Sequence, residues 1–241
     1  MTGEVIRVLD TGTRSPEQVP QSLDVRHQPA LLRRPLEVDE ALIADLFSQR
    51  HHIVFYSRFA AQVVLDLNVI ATDADHQLWA VGQKTAALLG DHFKPPIGVP
   101  EDERFSGLRR LLSQCDEALP IAAFGLQGKP RDLDPVARDW GVGFTAISVY
   151  ESVAASPDEI CEAFDSHRPH WLTVTSSRGI HSIADAMGAA KLQRLQSLSE
   201  LRVAAIGPST AQSIRDYEIA VDLVSDSPDR EGLLEAIADT L

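Results

Sequence analysis

Serines, threonines, arginines and glycines recur in this chain in two copies of one arrangement. The clearer copy reads WLTVTSSRGI at 171–180 and RVAAIGPSTAQSIR at 202–215; the fainter reads HIVFYSRFAA at 52–61 and LWAVGQKTAALL at 78–89. V-x-x-S-R repeats as Val54–Arg58 and Val174–Arg178, and A-x-G-x-x-T-A as Ala80–Ala86 and Ala205–Ala211. Ser57 precedes Gly82 by 25 residues, and Ser177 precedes Gly207 by 30. Each motif follows an apolar run and opens a helical pattern. That places Ser57, Thr85, Ser176, Ser177, Ser209 and Thr210 at or near helix starts, where a hydroxyl can cap and free N–H groups point outward. One such terminus favours an anion by about 0.3–1 kcal/mol, and four together by roughly 1–4 kcal/mol, before Arg58, Lys84, Arg178 or Arg202 contributes. The chemistry this suits is the holding of a small molecule with several carboxylates. Taken singly, each hydroxyl is usually no more than a cap. Gly82 and Gly207 can serve only tight turns, and Arg58 and Arg178 read as solvated. The duplication carries the ligand reading.

The elements that must position these residues alternate between strand and helix, the pattern of parallel sheets with crossover helices. Val5–Asp10 is the first strand and Val25–Leu32 the second, followed by the basic pair Arg33–Arg34 and Pro35. A helix spans Asp39–Phe47. Strands then fall near 52–56, 77–81, 96–99, 119–124 and 143–149, with helices near 59–66, 83–91, 104–115 and 132–139. Gly141 stands where a C-cap would stop the last of these. A further helix is expected near 157–164 and strands near 170–175, 202–206 and 219–224. Helices near 179–187, 190–198 and 209–216 separate these strands, and one over 229–240 closes the chain.

The strand count sets the domain layout. Residues 36 to 150 supply five strands, enough for a flavodoxin-like sheet, whereas the C-terminal stretch has three and needs the two N-terminal ones. The expected architecture is α/β, two flavodoxin-like parallel-sheet domains joined by a two-segment hinge. Residues 1–34 plus 153–241 form a discontinuous outer domain and 35–152 an inserted one, with hinge crossings near 32–37 and 150–155. The S-R and G-x-x-T-A strands are third and fourth in the outer domain but first and second in the inserted one. One unit is then a circular permutation of the other, with Ile121–Gly125 matching Ile6–Asp10.

Composition narrows the function classes. The chain has 241 residues, 44% hydrophobic, and a net charge of −13. That charge argues against nucleic acid, but screening over about 8 Å leaves local anion donors effective. Cys115 and Cys161 have neither metal-ligand nor redox spacing. No apolar run approaches 18 residues and MTGEVIRVLD is no signal peptide, so no membrane association and a cytoplasmic location are expected. GLQGKP at 125–130 lacks the G-x-x-x-x-G-K-[ST] frame of an NTPase. Neither G-x-G-x-x-G nor G-x-S-x-G occurs. His51–His52 and His167 with His170 lack metal-ligand partners and read as surface or packing residues. Tyr150, in SVYES at the end of a strand, reads first as a half-buried strand aromatic. Its protonated hydroxyl could also donate to a leaving hydroxyl.

Together VFYSRFAA, AVGQKTA, VYES, VTSSRGI and AAIGPSTA resemble, in order and spacing, the motifs of the uroporphyrinogen-III synthase family, and EGLLEAI at 231–237 is similar to its closing helix. The resemblance covers most of the chain from about residue 50. It departs at Tyr56, where the family often has Thr, at Glu151–Ser152, and in VLDTGTR, which lacks a T-R-P. What it implies is a lyase without metal or organic cofactor. This enzyme takes hydroxymethylbilane, removes its hydroxyl as water and closes uroporphyrinogen III with ring D inverted, in haem biosynthesis. The resemblance implies that Tyr150 assists loss of the hydroxyl. It also implies that Ser57, Arg58, Thr85, Ser176, Ser177, Arg178, Gly207, Ser209 and Thr210 hold substrate carboxylates. It favours a monomer and allows a transient contact with hydroxymethylbilane synthase. The rival readings are a non-catalytic tetrapyrrole-binding or regulatory module and a two-lobed binding protein of other specificity.

Overall fold

A computed structural model describes residues 5–70, 76–94, 96–128, 133–227 and 229–241. Lys129 and Pro130 of GLQGKP lie outside them. The chain divides into two compact units, 1–33 with 153–241, and 34–152. Each carries its own sheet with helices, parallel except at one edge strand.

In the discontinuous unit the strands are β1 (Ile6–Asp10), β2 (Leu23–His27), β9 (Trp171–Val174), β10 (Arg202–Ala205) and β11 (Leu223–Val224), ordered β11-β10-β9-β1-β2. The six-stranded sheet, which lies mostly in the inserted unit, has β3 (Leu31–Pro35), β4 (His52–Phe55), β5 (Gln77–Ala80), β6 (Ile97–Gly98), β7 (Ile121–Leu126) and β8 (Phe144–Ala154), ordered β3-β8-β7-β4-β5-β6; β3 and β8 each cross the boundary between the units. Reading β7 as β1, β8 as β2, and β4, β5, β6 as β9, β10, β11 turns one order into the other. β3 is then an added edge strand. The circular permutation expected from the repeated motifs is therefore present in the strand order. Both sheets have the flavodoxin-type order, with the reversal between β1 and β9 and between β7 and β4.

The second expected strand, Val25–Leu32, is instead two. Gln28 and Ala30 donate to the carbonyls of Asp10 and Thr11 (2.9 and 3.1 Å), while Pro29 between them has no N–H to give. The ladder ends at His27, and Leu31–Pro35 joins the other sheet. The eleven-residue β8 also runs past the expected end at 149.

Burial explains why β4 reads as a continuous apolar run. All four residues, HIVF, are buried, as expected of a parallel strand covered by helices on both faces. His52 is tolerated there because both ring nitrogens are satisfied. Trp79 Nε1 donates to its Nδ1 at 3.0 Å and its Nε2 donates to the Glu117 carbonyl at 2.7 Å. Burial pushes its pKa down, which keeps the ring neutral. Across the sheet, Phe47 from α1 (Glu40–Ser48) is fully buried among Phe93, Phe124 and the edge of His76, with centroids 6.0, 5.9 and 5.4 Å away. α5 (Asp134–Trp140) stops at Gly141, whose φ of 68° is the left-handed cap expected there.

Removing the Phe47 ring leaves a cavity that the stacked aromatics cannot close. Phe47→Ala is expected to destabilise the inserted unit by about 3–5 kcal/mol, read as a shift of the denaturation midpoint with an unchanged m-value.

Candidate functional site

The repeated motifs lie where the strands end and the next helix begins. β4 hands over to α2 (Arg58–Asp66) through Ser57, which is the N-cap and accepts from the Ala60 N–H at 3.1 Å. β9 hands over to α7 (Ser177–Met187) through Ser176, which accepts from the Gly179 N–H at 3.0 Å. The equivalent of Ser57 is thus Ser176, one residue earlier than the V-x-x-S-R alignment pairs it. β9 ends on Val174 itself, while β4 continues one residue past Val54. Ser177 is the first helical residue, and Arg178 follows it, exposed. Arg58 is likewise exposed.

The second motif repeats without a shift. Ala80 ends β5 and Gly82 caps α3 (Gln83–Gly90); Ala205 ends β10 and Gly207 caps α9 (Pro208–Arg215). Neither glycine offers a side-chain cap, so first-turn N–H groups are left for other acceptors. In α9, Pro208 has no N–H, and Ser209 is exposed. The Thr85 and Thr210 side chains are 5% and 6% exposed, each at the third helical position.

At α3 the acceptor is in place. The Glu103 carboxylate receives the Gln83 N–H at 3.1 Å, and a Cβ on Gly82 would lie 2.6 Å from the same oxygen. A side chain at Gly82 would push the Glu103 carboxylate off this helix start. This helix start binds a carboxylate of the chain itself, a residue the motifs did not point to.

Tyr150 and Ser57 come together. Ser57 Oγ donates to the Tyr150 hydroxyl oxygen at 3.1 Å. Tyr150 is 7% exposed and packs edge-on to Phe59, with centroids 5.0 Å apart. Tyr150 is thus a buried strand aromatic whose hydroxyl has a polar partner. The two residues stand beside the strand reversal of the inserted unit, where doubly wound sheets bind ligands. Gly125 on the intervening β7 has no side chain, and a Cβ there would meet the Tyr56 ring at 2.7 Å.

The other sheet holds a buried ionic group at its reversal that sequence reading missed. Asp10, 1% exposed at the end of β1, pairs with Arg230 at the start of α10 (Arg230–Ala238). It also bonds His27 Nδ1 (2.9 Å) and accepts from the Thr173 hydroxyl (2.9 Å). Burial raises the carboxyl pKa. The His27 bond, the Arg230 charge and bond, and the Thr173 hydroxyl outweigh it and hold it below the ordinary 3.8. The available signal was a lone Asp closing an apolar strand. Its partner, 220 residues away, had none.

Among the described residues no group of three or more His, Cys, Asp or Glu side chains is placed to hold a metal ion. Among the described residues, no helix is long and apolar enough to cross a membrane.

A family model described as uroporphyrinogen-III synthase HemD matches residues 22–235. The chain belongs to the uroporphyrinogen-III synthase family. The uroporphyrinogen-III synthase of Saccharomyces cerevisiae is 33% identical over 103 residues, which is 38% of this chain and 36% of the yeast protein. The chain thus aligns with little more than a third of that relative. Two solved structures share the fold: uroporphyrinogen-III synthetase from Helicobacter pylori and a mutant uroporphyrinogen III synthase from Thermus thermophilus. Their TM-scores are 0.63 and 0.57 and their identities 16% and 18%. The first match covers 98% of this chain and 100% of the other, the second 97% and 98%.

Breaking the Asp10 pair is expected to be costly. Arg230→Met leaves a buried carboxylate without its counter-charge, a loss of about 3–5 kcal/mol near neutral pH. Because Asp10 has a depressed folded-state pKa, its stabilisation is present above 3.8 and is lost as pH falls through the folded value. Urea titrations across that acid range should show the loss in the parent chain and a flatter dependence in Arg230→Met.

Proposed function

We propose that this protein is a uroporphyrinogen-III synthase, cyclising hydroxymethylbilane to uroporphyrinogen III with inversion of ring D and loss of water. Membership of the family over residues 22–235 supports the reading, as does the name carried by the yeast relative. The observation that bears most directly on chemistry is the Ser57–Tyr150 hydrogen bond.

Ser57 Oγ donates to the phenol oxygen, so Tyr150 keeps its own proton to give. When the substrate hydroxyl departs, that proton converts it to water, and the Ser57 hydroxyl stabilises the phenolate left behind. The substrate's several carboxylates are met by the helix starts: Ser57 and Arg58, Thr85, Ser176, Ser177 and Arg178, and Gly207, Ser209 and Thr210. Buried Thr85 and Thr210 act there through the order they impose on the first turn and its N–H groups. Most of the acceleration comes from holding a flexible chain so that its two ends meet. The reading needs no metal or organic cofactor. It makes the protein a cytoplasmic monomer that receives substrate through at most a transient contact with hydroxymethylbilane synthase. We also propose that the two units are hinged domains, with crossings near 32–37 and 150–155.

The test generates hydroxymethylbilane in situ, adds the protein, oxidises and separates the porphyrin isomers. Isomer III above the spontaneous isomer I is the expected result. Isomer I alone would leave a non-catalytic tetrapyrrole-binding module. In the same assay Tyr150→Phe should slow turnover by about ten- to a hundredfold with residual activity, the modest end of general-acid effects. Full retention of rate would remove Tyr150 from the mechanism. Ser57→Ala should also lower the rate, and lose about 1 kcal/mol of stability with its cap.

A further inference from the structure

In the inserted unit, α4 (Phe105–Ser113) lines a shallow groove of about 410 Å³ with Phe105, Ser106, Arg109, Arg110 and Ser113. These positions recur one turn apart and form a single stripe of the helix. The opposite stripe faces the core, where Gly107, Leu108 and Leu112 are buried.

The groove adjoins the residues already described in this unit. Phe105 packs edge-on to Tyr56, with ring centroids 5.3 Å apart, and Tyr56 precedes the Ser57 cap of α2. Glu103, two residues before Phe105, lies on the start of α3. The groove thus begins at the carboxyl edge of the sheet, beside Ser57 and Gly82. Arg109 and Arg110 stand about 6 and 7.5 Å further along the axis. Side chains on a helix lean toward its N-terminus, which directs both arginines back toward that edge.

Two cations and no anion line the groove, in a chain of 35 acidic and 22 basic residues. Elsewhere in the unit Arg34, Arg50 and Arg138 pair with Glu151, Glu117 and Asp134. Among the described residues no carboxylate pairs with Arg109 or Arg110. Asp102 and Glu103, just before the helix, are engaged by main-chain donors, the Arg104 and Gln83 N–H groups, each at 3.1 Å. Arg110 lies in the last turn of α4, where positive charge complements the helix dipole; Arg109 does not. Two guanidinium groups sharing one groove repel each other unless an anion lies between them. Ser113 donates to the Arg110 carbonyl at 2.8 Å, which leaves the Ser106 hydroxyl as a further donor beside the Phe105 ring.

We propose that the α4 groove binds a ring that carries carboxylates. A carboxylate sits between Arg109 and Arg110, Ser106 donates to it or to its neighbour, and the ring lies against Phe105. The occupant is one carboxylate-bearing pyrrole of the linear tetrapyrrole, an assignment that rests on the synthase reading. Arg109 and Arg110 are then binding residues and act on KM, leaving kcat to other groups.

The test has two arms. Phthalate, a benzene ring with two neighbouring carboxylates, is titrated into the isotope-labelled full chain at constant ionic strength and followed by NMR. Saturable shifts centred on Phe105, Ser106 and Arg109 are expected, with a Kd in the millimolar range. The Arg109→Gln, Arg110→Gln double variant should weaken that binding about tenfold, the loss of charge-assisted bonds in an exposed setting. Both side chains are exposed, so the double variant keeps the fold. In the isomer-separating assay it should raise KM about tenfold with kcat within about twofold. Arg50→Gln, outside the groove and before the start of β4, should change neither. No saturable shift, or unchanged phthalate affinity in the double variant, overturns the groove. Isomer III from the parent with an unchanged KM in the double variant, or an equal rise in Arg50→Gln, overturns it as a substrate site and leaves the synthase reading standing. Isomer I alone from the parent removes that reading and the pyrrole with it, and the phthalate arm alone then decides the groove.

Discussion

A parallel strand cannot return to its neighbour through a tight turn, so β4, β5, β9 and β10 each hand the chain to a helix at their carboxyl ends. The first turn of that helix has N–H groups with no partner inside it. This geometric debt recurs at Ser57, Gly82, Ser176 and Gly207, and the way each position settles it decides what the edge can bind. The serines settle part of it from their own side chains. The glycines offer no side chain and leave the helix start to another acceptor. At α3 that acceptor is the Glu103 carboxylate, so one helix start already holds the kind of group that a carboxylate-rich substrate would bring.

The two sheets use their strand reversal differently. In the inserted unit the reversal lies beside Tyr150 and Ser57, joined by a hydroxyl–hydroxyl bond. In the discontinuous unit the corresponding place is filled by the Asp10, Arg230, His27 and Thr173 group, where buried charge is matched by buried charge. A buried pair of this kind fixes where α10 starts relative to β1 more than it adds net stability. One repeated frame thus carries a pair of bonded hydroxyls in one copy and an ionic clasp in the other.

Much of the frame was legible from the chain. Apolar runs of strand length, helix-start residues after them and Gly141 beyond the last turn of α5 are local signals, and local signals determine local structure. The repeated motifs went further, because two matching pairs in a fixed order imply two matching sheets. The errors came from competing local chemistry. Val25–Leu32 looks like one strand because its side chains are suitable, but Pro29 breaks the ladder through a missing donor. The Ser177 alignment slipped by one because V-x-x-S-R counts residues, whereas the cap is set by where β9 stops.

The sequence by itself determined the parallel α/β class, the permuted repeat and the hydroxyls and glycines at the strand ends, because each follows from periodicity and residue type within a few positions. Only the tertiary structure decided that Ser57 donates to Tyr150 across 93 residues. It alone set Glu103 on Gly82 and closed Arg230 on Asp10. These contacts join side chains far apart in the chain. Their geometry depends on how strands and helices pack, and no spacing rule carries that information.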